Sequence, residues 1–349
     1  MIFASDNWAG VHPTIARRLS EESGGFAAAY GSSELDRKIE QQFNKLFERE
    51  VAVFFVATGT AANSLALAAV NRPGGVAFCH REAHMIEDEC GAPEFFTHGA
   101  RLAPVDGEYG KIDPEKLEAE IARFPPDFIH AGQPMAVSVT QATEIGTVYS
   151  LDEISEITLI AKSHGLPVHM DGARFANALV ALDLTAAEMT WKAGVDIISF
   201  GATKNACWCA EAMVFTDPDM ARDLPFIRKR AAQLFSKTRF IACQFDAYLQ
   251  DYLWLDMARH ANDMAKRLRN GLTASKHVRL GWETVTNEVF CILDKTVAEN
   301  LKHHGAVFHE WNMPRSLQNQ VLHNEILIRL VTNFATQSEH VDQFLDVLG

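Results

Sequence analysis

The sequence predicts an α/β protein with a mainly parallel central sheet covered by helices, followed by a smaller C-terminal α+β domain. Three observations carry this expectation. Short apolar runs alternate with helical-period segments through the first 240 residues. Several of those runs are apolar at every position, as strands covered on both faces are. Beyond residue 240 the texture changes to one long helical stretch, then to strand-like runs each followed by a helical run. We therefore divide the chain into 1–245, an N-terminal arm with the large α/β domain, and 246–349, a small α+β domain.

Each element has its own signal. Ser33 is placed to cap a helix running to Phe47, with Asp36 three residues on and Leu35, Ile39, Phe43 and Leu46 at helical spacing. Val51–Val56 is apolar on both faces and reads as a strand of a covered parallel sheet. Thr58-Gly59-Thr60 interrupts it, and an Ala- and Leu-rich helix follows over Ala61–Ala69. Val76–Cys79 is a strand, and Asp113-Pro114 opens a helix through Arg123, with proline at its first position. Phe128–Ala131 and Ala136–Val139 are further strands. Leu151–His164 is a helix closed by Gly165, and Pro167–Met170 a strand. Val195–Phe200 and Ala212–Phe215 complete the large sheet. Phe240–Leu272 contains no proline and reads as one helix. Val289–Leu293 and Ile326–Val331 are the strands of the small domain.

Composition narrows the function. Of 349 residues, 48% are hydrophobic and 22% charged, which excludes disorder as the main state. The net charge of −13 argues against a nucleic-acid partner. No apolar run approaches the ~18 residues that would cross a bilayer, and the N-terminus lacks the basic start of a signal peptide. The six cysteines are sparse and irregularly spaced, as in a reducing compartment, so a cytoplasmic location is expected. Cys207 and Cys209, without a second pair, read as buried thiols. His80 and His84, four apart, would share a helix face, but their spacing is not that of a zinc protease, and no metal site is expected. Phe54, Phe55, Phe200 and Phe215 read as core.

Three local signatures carry chemistry. Thr58-Gly59-Thr60 lies between a strand and a helix, where unpaired amides and the helix dipole favour an anion such as phosphate. The bland alternative is an ordinary strand-to-helix turn. In His169-Met170-Asp171-Gly172-Ala173-Arg174, Asp171 ends an apolar strand, where open α/β sheets bind ligands. Its carboxylate can keep a proton on a partner nitrogen, and Arg174 can grip a carboxylate, unless the two merely pair with each other. Lys204 directly follows the apolar run Ile197-Ile198-Ser199-Phe200 and a short turn. Desolvation there would suit it to Schiff-base chemistry, unless it snorkels to solvent. A phosphate cradle, an acid and a lysine at successive strand ends together describe a pyridoxal phosphate site.

With these residues in place, the chain resembles the low-specificity L-threonine aldolase family, within the fold-type I pyridoxal phosphate enzymes and alongside their β-eliminating-lyase relatives. The resemblance runs over almost the whole chain. It rests on Ser5-Asp6-Asn7, Tyr30-Gly31, Thr58-Gly59-Thr60, Ala83-His84, His169 to Arg174, Lys204 and Ile328-Arg329-Leu330-Val331-Thr332. It implies that Lys204 binds pyridoxal 5'-phosphate covalently, Asp171 pairs with the ring nitrogen, and His84 stacks on the ring and is the candidate base. Thr58, Gly59, Thr60 and Thr203 would hold the phosphate, and Arg174 would also belong to the cofactor's site. Ser5, Arg174 and Arg329 would hold the substrate's α-carboxylate. Lys237 and Arg239 would reach a neighbouring subunit's phosphate in a homotetramer built from dimers.

The implied reaction is cleavage of L-threonine, L-allo-threonine and other β-hydroxy-α-amino acids to glycine and an aldehyde. Transamination, β-elimination and racemisation are alternatives on the same cofactor. A non-catalytic binding protein would need neither Lys204 nor Asp171. The chain departs from the better-known branch in two places. Ser32-Ser33-Glu34 stands where that branch has two acids and a proline. Thr140-Gln141-Ala142-Thr143-Glu144 replaces a segment whose histidine is assigned to the substrate hydroxyl. Glu89, five residues after His84, is placed to orient it.

Overall fold

The computed structural model describes residues 1–318 and 320–349. Seven strands form the large sheet: β1 (Ala52–Val56), β2 (Gly75–His80), β3 (Arg101–Val105), β4 (Gln133–Thr140), β5 (Val168–Gly172), β6 (Ile197–Gly201) and β7 (Glu211–Phe215). Their order is β1-β7-β6-β5-β4-β2-β3. The pairs β3/β2, β2/β4, β4/β5 and β5/β6 are parallel, and β7 runs antiparallel to both its neighbours. Six strands therefore share one direction, and their carboxyl ends lie along one edge.

The covered-sheet expectation for the first strand needs one correction. β1 is buried from both sides, with Val53 and Phe55 in one apolar cluster and Val56 in another. It is nevertheless an edge strand among the described residues, and its partner, β7, is antiparallel. An apolar run reports coverage, not the direction of a neighbour.

The helices form where their signals place them. Ser33 and Asp36 make a reciprocal capping box on Glu34–Leu46, and Ser150 and Glu153 do the same for Leu151–Ser163. Asp113 caps Pro114–Ala122. Two expectations fail. Phe128–Ala131 is a turn rather than a strand. It follows Pro125-Pro126, has no sheet partner, and leaves Phe128 and Ile129 exposed. The long helix is also two: Arg239–Leu249 and Leu253–Ala274. Asp251 and Tyr252 take left-handed backbone between them, with φ of 50° and 60°. Aspartate visits that region more readily than most residues, and no glycine or proline marks the break.

A second, antiparallel sheet has the order β10-β11-β9-β8, from β8 (Val278–Leu280), β9 (Glu288–Asp294), β10 (His309–Glu310) and β11 (Glu325–Val331). Alternation divides β9 cleanly. Val289, Cys291 and Leu293 join the core with Leu268, Leu272 and Phe344, while Phe290 and Ile292 pack with Ile145 of the large domain. The first residues of the chain belong here too. Ile2 bridges Val307, and Phe3 is fully buried in this core. Among the described residues no helix is long and apolar enough to cross a membrane.

Candidate active site

The carboxyl edge of the large sheet gathers the predicted residues because the strands that precede them run in one direction. β1 leads into Thr58-Gly59-Thr60, β2 into His84, β5 ends through Asp171, and β6 leads into Thr203-Lys204. β7, running the other way, begins at the same edge with Glu211. A cavity of about 270 Å³ is lined by Asn7, Ala57, Thr58, Gly59, Thr60, Asn63, His84, Glu89, Asp171, Ala173, Thr203, Lys204 and Glu211.

Local structure fixes each group. The Thr58 hydroxyl accepts the Ala61 amide at 3.1 Å and starts the helix Gly59–Ala69. The Gly59 and Thr60 amides precede the first intrahelical bond, so they are available to an external acceptor. At Gly59 an added Cβ would meet nothing within 4 Å, so the cradle is open. The turn bearing Lys204 is pinned behind it, where Asn205 Nδ2 donates to Tyr248 Oη and to the Trp254 carbonyl, each at 2.8 Å. His84 does not share a helix face with His80, because His80 ends β2 and His84 begins the next short helix.

A buried network joins His84 to Asp171. His84 Nδ1 lies 2.9 Å from Glu89 Oε1. Asn63 Nδ2 donates to Glu89 Oε1 and to Asp171 Oδ2, each at 2.9 Å, and the Ala173 amide donates to Asp171 Oδ1 at 3.0 Å. The bond to Glu89 raises the His84 pKa above its ordinary value, against a smaller opposing effect of burial. Burial raises Glu89 as well. Burial likewise pushes Glu211 up to about 7, although the Thr203 amide and hydroxyl bond to it.

Arg174 pairs with neither solvent nor Asp171. Its Nε donates to Asp6 Oδ2 at 2.8 Å, and its Nη2 lies 3.2 Å from Glu288 Oε1. Burial acts to raise the Asp6 carboxyl, but Arg174 and, more weakly, Lys204 outweigh it and hold it below the ordinary value. Arg329 Nη1 lies 3.7 Å from the same Glu288 oxygen, and its guanidinium sits over the Trp311 ring at 4.1 Å. Ser5 caps the turn that carries Asp6, accepting the Asn7 amide.

Lys204, Asp171, His84, Thr58, Gly59, Thr60 and Thr203 thus meet at one cavity. Arg174 and Arg329 do not line it but belong to a charge cluster with Asp6 and Glu288, and Ser5, also outside the lining, caps the turn that carries Asp6. Lys237 is exposed, and Arg239 lies 3.9 Å from Glu22, both outside the cavity lining. Of the two thiols, Cys207 is buried and Cys209 half-buried. Three residues of this region escape sequence reading: Asn63, read only as part of a helix start, Glu211, just before the run read as a strand, and Glu288. The signal for Glu288 is an acid opening an otherwise apolar run, Val289–Leu293.

Fold and site define a class: the chain belongs to the β-eliminating lyase family, whose sequence model matches residues 3–296. Within that family it is similar to the low specificity L-threonine aldolase of Pseudomonas aeruginosa, 42% identical over 307 residues that cover 88% of each chain. Its structure is similar to that of Leishmania major threonine aldolase, with a TM-score of 0.92, 27% identity, and coverage of 99% of this chain and 98% of that one. The fold is the fold-type I arrangement. It is shared at 16% identity and a TM-score of 0.71 with Sphingomonas wittichii serine palmitoyltransferase, over 100% of this chain and 86% of that one.

Proposed function

We propose that this lyase is a pyridoxal-phosphate-dependent aldolase that cleaves L-threonine, L-allo-threonine and other β-hydroxy-α-amino acids to glycine and an aldehyde. The observation that carries the reading is the convergence of Lys204, Asp171 and His84 on one cavity beside the Gly59–Thr60 helix start. The residues fit the cofactor: an open amide cradle for the phosphate, a buried carboxylate for the ring nitrogen, and an amine to bind covalently. Pyridoxal phosphate, when bound, supplies an acceptor for the electrons of the broken Cα–Cβ bond.

The chain's own groups do the rest. Asp171 has spare lone pairs on both oxygens despite its bonds to Asn63 and Ala173, so it can hold a proton on the ring nitrogen. Arg174 and Arg329, with Ser5, hold the α-carboxylate and so set the angle of the bond to be cleaved. Glu89 engages His84 Nδ1, which leaves Nε2 to take the β-hydroxyl proton. Lys237 and Arg239 lie outside the cavity of the single chain, consistent with a role at a neighbouring subunit's phosphate in a homotetramer of dimers. Exposed Phe26, Trp208 and Phe226 are candidates for covered surface in that assembly. The six free cysteines fit a cytoplasmic setting, and we keep the domain division at residue 245.

Acetaldehyde release from L-threonine and L-allo-threonine tests the reading. The holoenzyme releases it from at least one isomer, and Lys204→Ala lowers release to background. Release undiminished in Lys204→Ala removes Lys204 from the chemistry and sinks the assignment.

A further inference from the structure

Glu288 has no part in the chemistry above, yet it sits between the two arginines assigned to the substrate. It is fully buried at the start of β9. Register explains its position: Glu288 faces Val331 and Phe290 faces Arg329, so alternation puts Glu288 and Arg329 on one face, turned toward the large domain. From that domain Arg174 reaches the same carboxylate oxygen. Gly146 closes the site from the side, where an added Cβ would lie 3.1 Å from Glu288 Cβ.

The contacts are those of a counter-charge without saturated bonds. Arg174 and Arg329 approach at 3.2 and 3.7 Å, but neither Glu288 oxygen receives an aligned hydrogen bond, and Arg329 Nε is buried without an acceptor. Both guanidiniums therefore keep donors for another carboxylate. The charged groups facing this point are Asp6 from the N-terminal turn, Arg174 after β5, Glu144 after β4 and Arg329 on β11. His309 on β10 lies opposite Arg329 and is exposed. Three carboxylates thus already surround two guanidiniums. A fourth, brought in by an amino acid, would share the arginines with an ionised Glu288 that is fully buried and so poorly screened. Each further carboxylate crowded into such a site raises the pKa of one of them.

We propose that Glu288 is a positioning residue that serves as the resident counter-ion of the Arg174–Arg329 site and takes up one proton when a substrate α-carboxylate arrives. This rests on the reading of those arginines as α-carboxylate ligands. The balance is simple: an anionic carboxylate enters, one solvent proton adds to a Glu288 oxygen, and the charge of the cluster is unchanged. Burial already pushes the Glu288 carboxyl up to about 7 against the pull of Arg174 and Arg329, so the acid form is within reach at neutral pH.

The test is calorimetry of glycine binding to the pyridoxal-phosphate-loaded holoenzyme at pH 8, in buffers of different ionisation heat. The wild type takes up close to one more proton per glycine bound than Glu288→Gln, whose neutral amide mimics the acid form. Above pH 7 the apparent Kd of the wild type rises relative to that of the variant by up to tenfold per pH unit. Equal proton counts and parallel Kd profiles overturn the proposal. If Glu288→Gln does not fold, the wild type alone decides. After allowance for each ligand's own amine, glycine draws in a proton that glycinamide, which lacks the carboxylate, does not. Equal uptake by both ligands refutes the idea. The underlying reading fails separately, and takes this proposal with it, if glycine leaves both the cofactor's absorption band and the calorimeter unmoved.

Discussion

Two carboxylates, Glu89 and Asp171, share one amide beside His84. Glu89 accepts from its Nδ1, and Asn63 bonds Glu89 and Asp171 at once, so the candidate base and the candidate ring-nitrogen partner are positioned by one amide. The sign of the resulting pH dependence follows. A histidine whose pKa is raised stays protonated to higher pH, and a protonated imidazole cannot accept the β-hydroxyl proton. Activity must therefore rise as pH climbs through the raised His84 pKa. Glu89→Gln removes the charge of the partner and moves the acid limb of the kcat/KM profile to lower pH. His84→Asn lowers kcat by roughly 10²-fold or more, the usual contribution of a general base. An unmoved limb in Glu89→Gln would show that the ion pair does not tune this histidine. At this scale the sequence was legible where chemistry is local. Asp171 lies at the end of a strand, and Lys204, His84 and the Gly59 turn each follow one within a few residues. Asn63 and Glu288 were not, because their partners lie 26 to 108 residues away for one and across two domains for the other.

Elements place these residues only if strand ends can approach closely. Gly201, at the end of β6, is such a point between the two turns that bear Asp171 and Lys204. A Cβ there would lie 2.6 Å from the Ala173 carbonyl oxygen in the Asp171–Arg174 turn. Gly201→Ala must push apart the turns that bear Asp171 and Lys204. It is expected to cost about 1–3 kcal/mol of stability, as overpacking does, and to weaken cofactor binding. Thermal unfolding of the holoenzyme checks this against Gly24→Ala, where an added Cβ meets nothing within 4 Å. Equal melting temperatures for the two variants would refute the close-approach argument. Element boundaries followed from local caps where the sequence offered them, as at Ser33 and Asp113. Phe128–Ala131 misled because apolarity alone does not supply a pairing partner. The break at Asp251-Tyr252 left no trace because apolar periodicity continues on both sides of it.

Across the whole molecule, the charge cluster joins parts of the chain that sequence keeps far apart. Asp6 comes from the N-terminal turn, Arg174 from the large sheet, and Glu288 and Arg329 from the small one. The N-terminal arm is the part least visible beforehand. Ile2 and Phe3 belong to the core of the small domain, at the opposite end of the sequence, and no local pattern announces so distant a contact. The division into a larger α/β and a smaller α+β part was legible because the periodicities themselves change. The central claim, that this assembled site breaks a Cα–Cβ bond, is tested most directly by following uniformly ¹³C-labelled L-threonine and L-allo-threonine with the holoenzyme by carbon NMR. The account predicts labelled glycine and acetaldehyde in equal amounts from at least one isomer. Labelled 2-oxobutanoate, the product of elimination, or any four-carbon keto acid without glycine would contradict it.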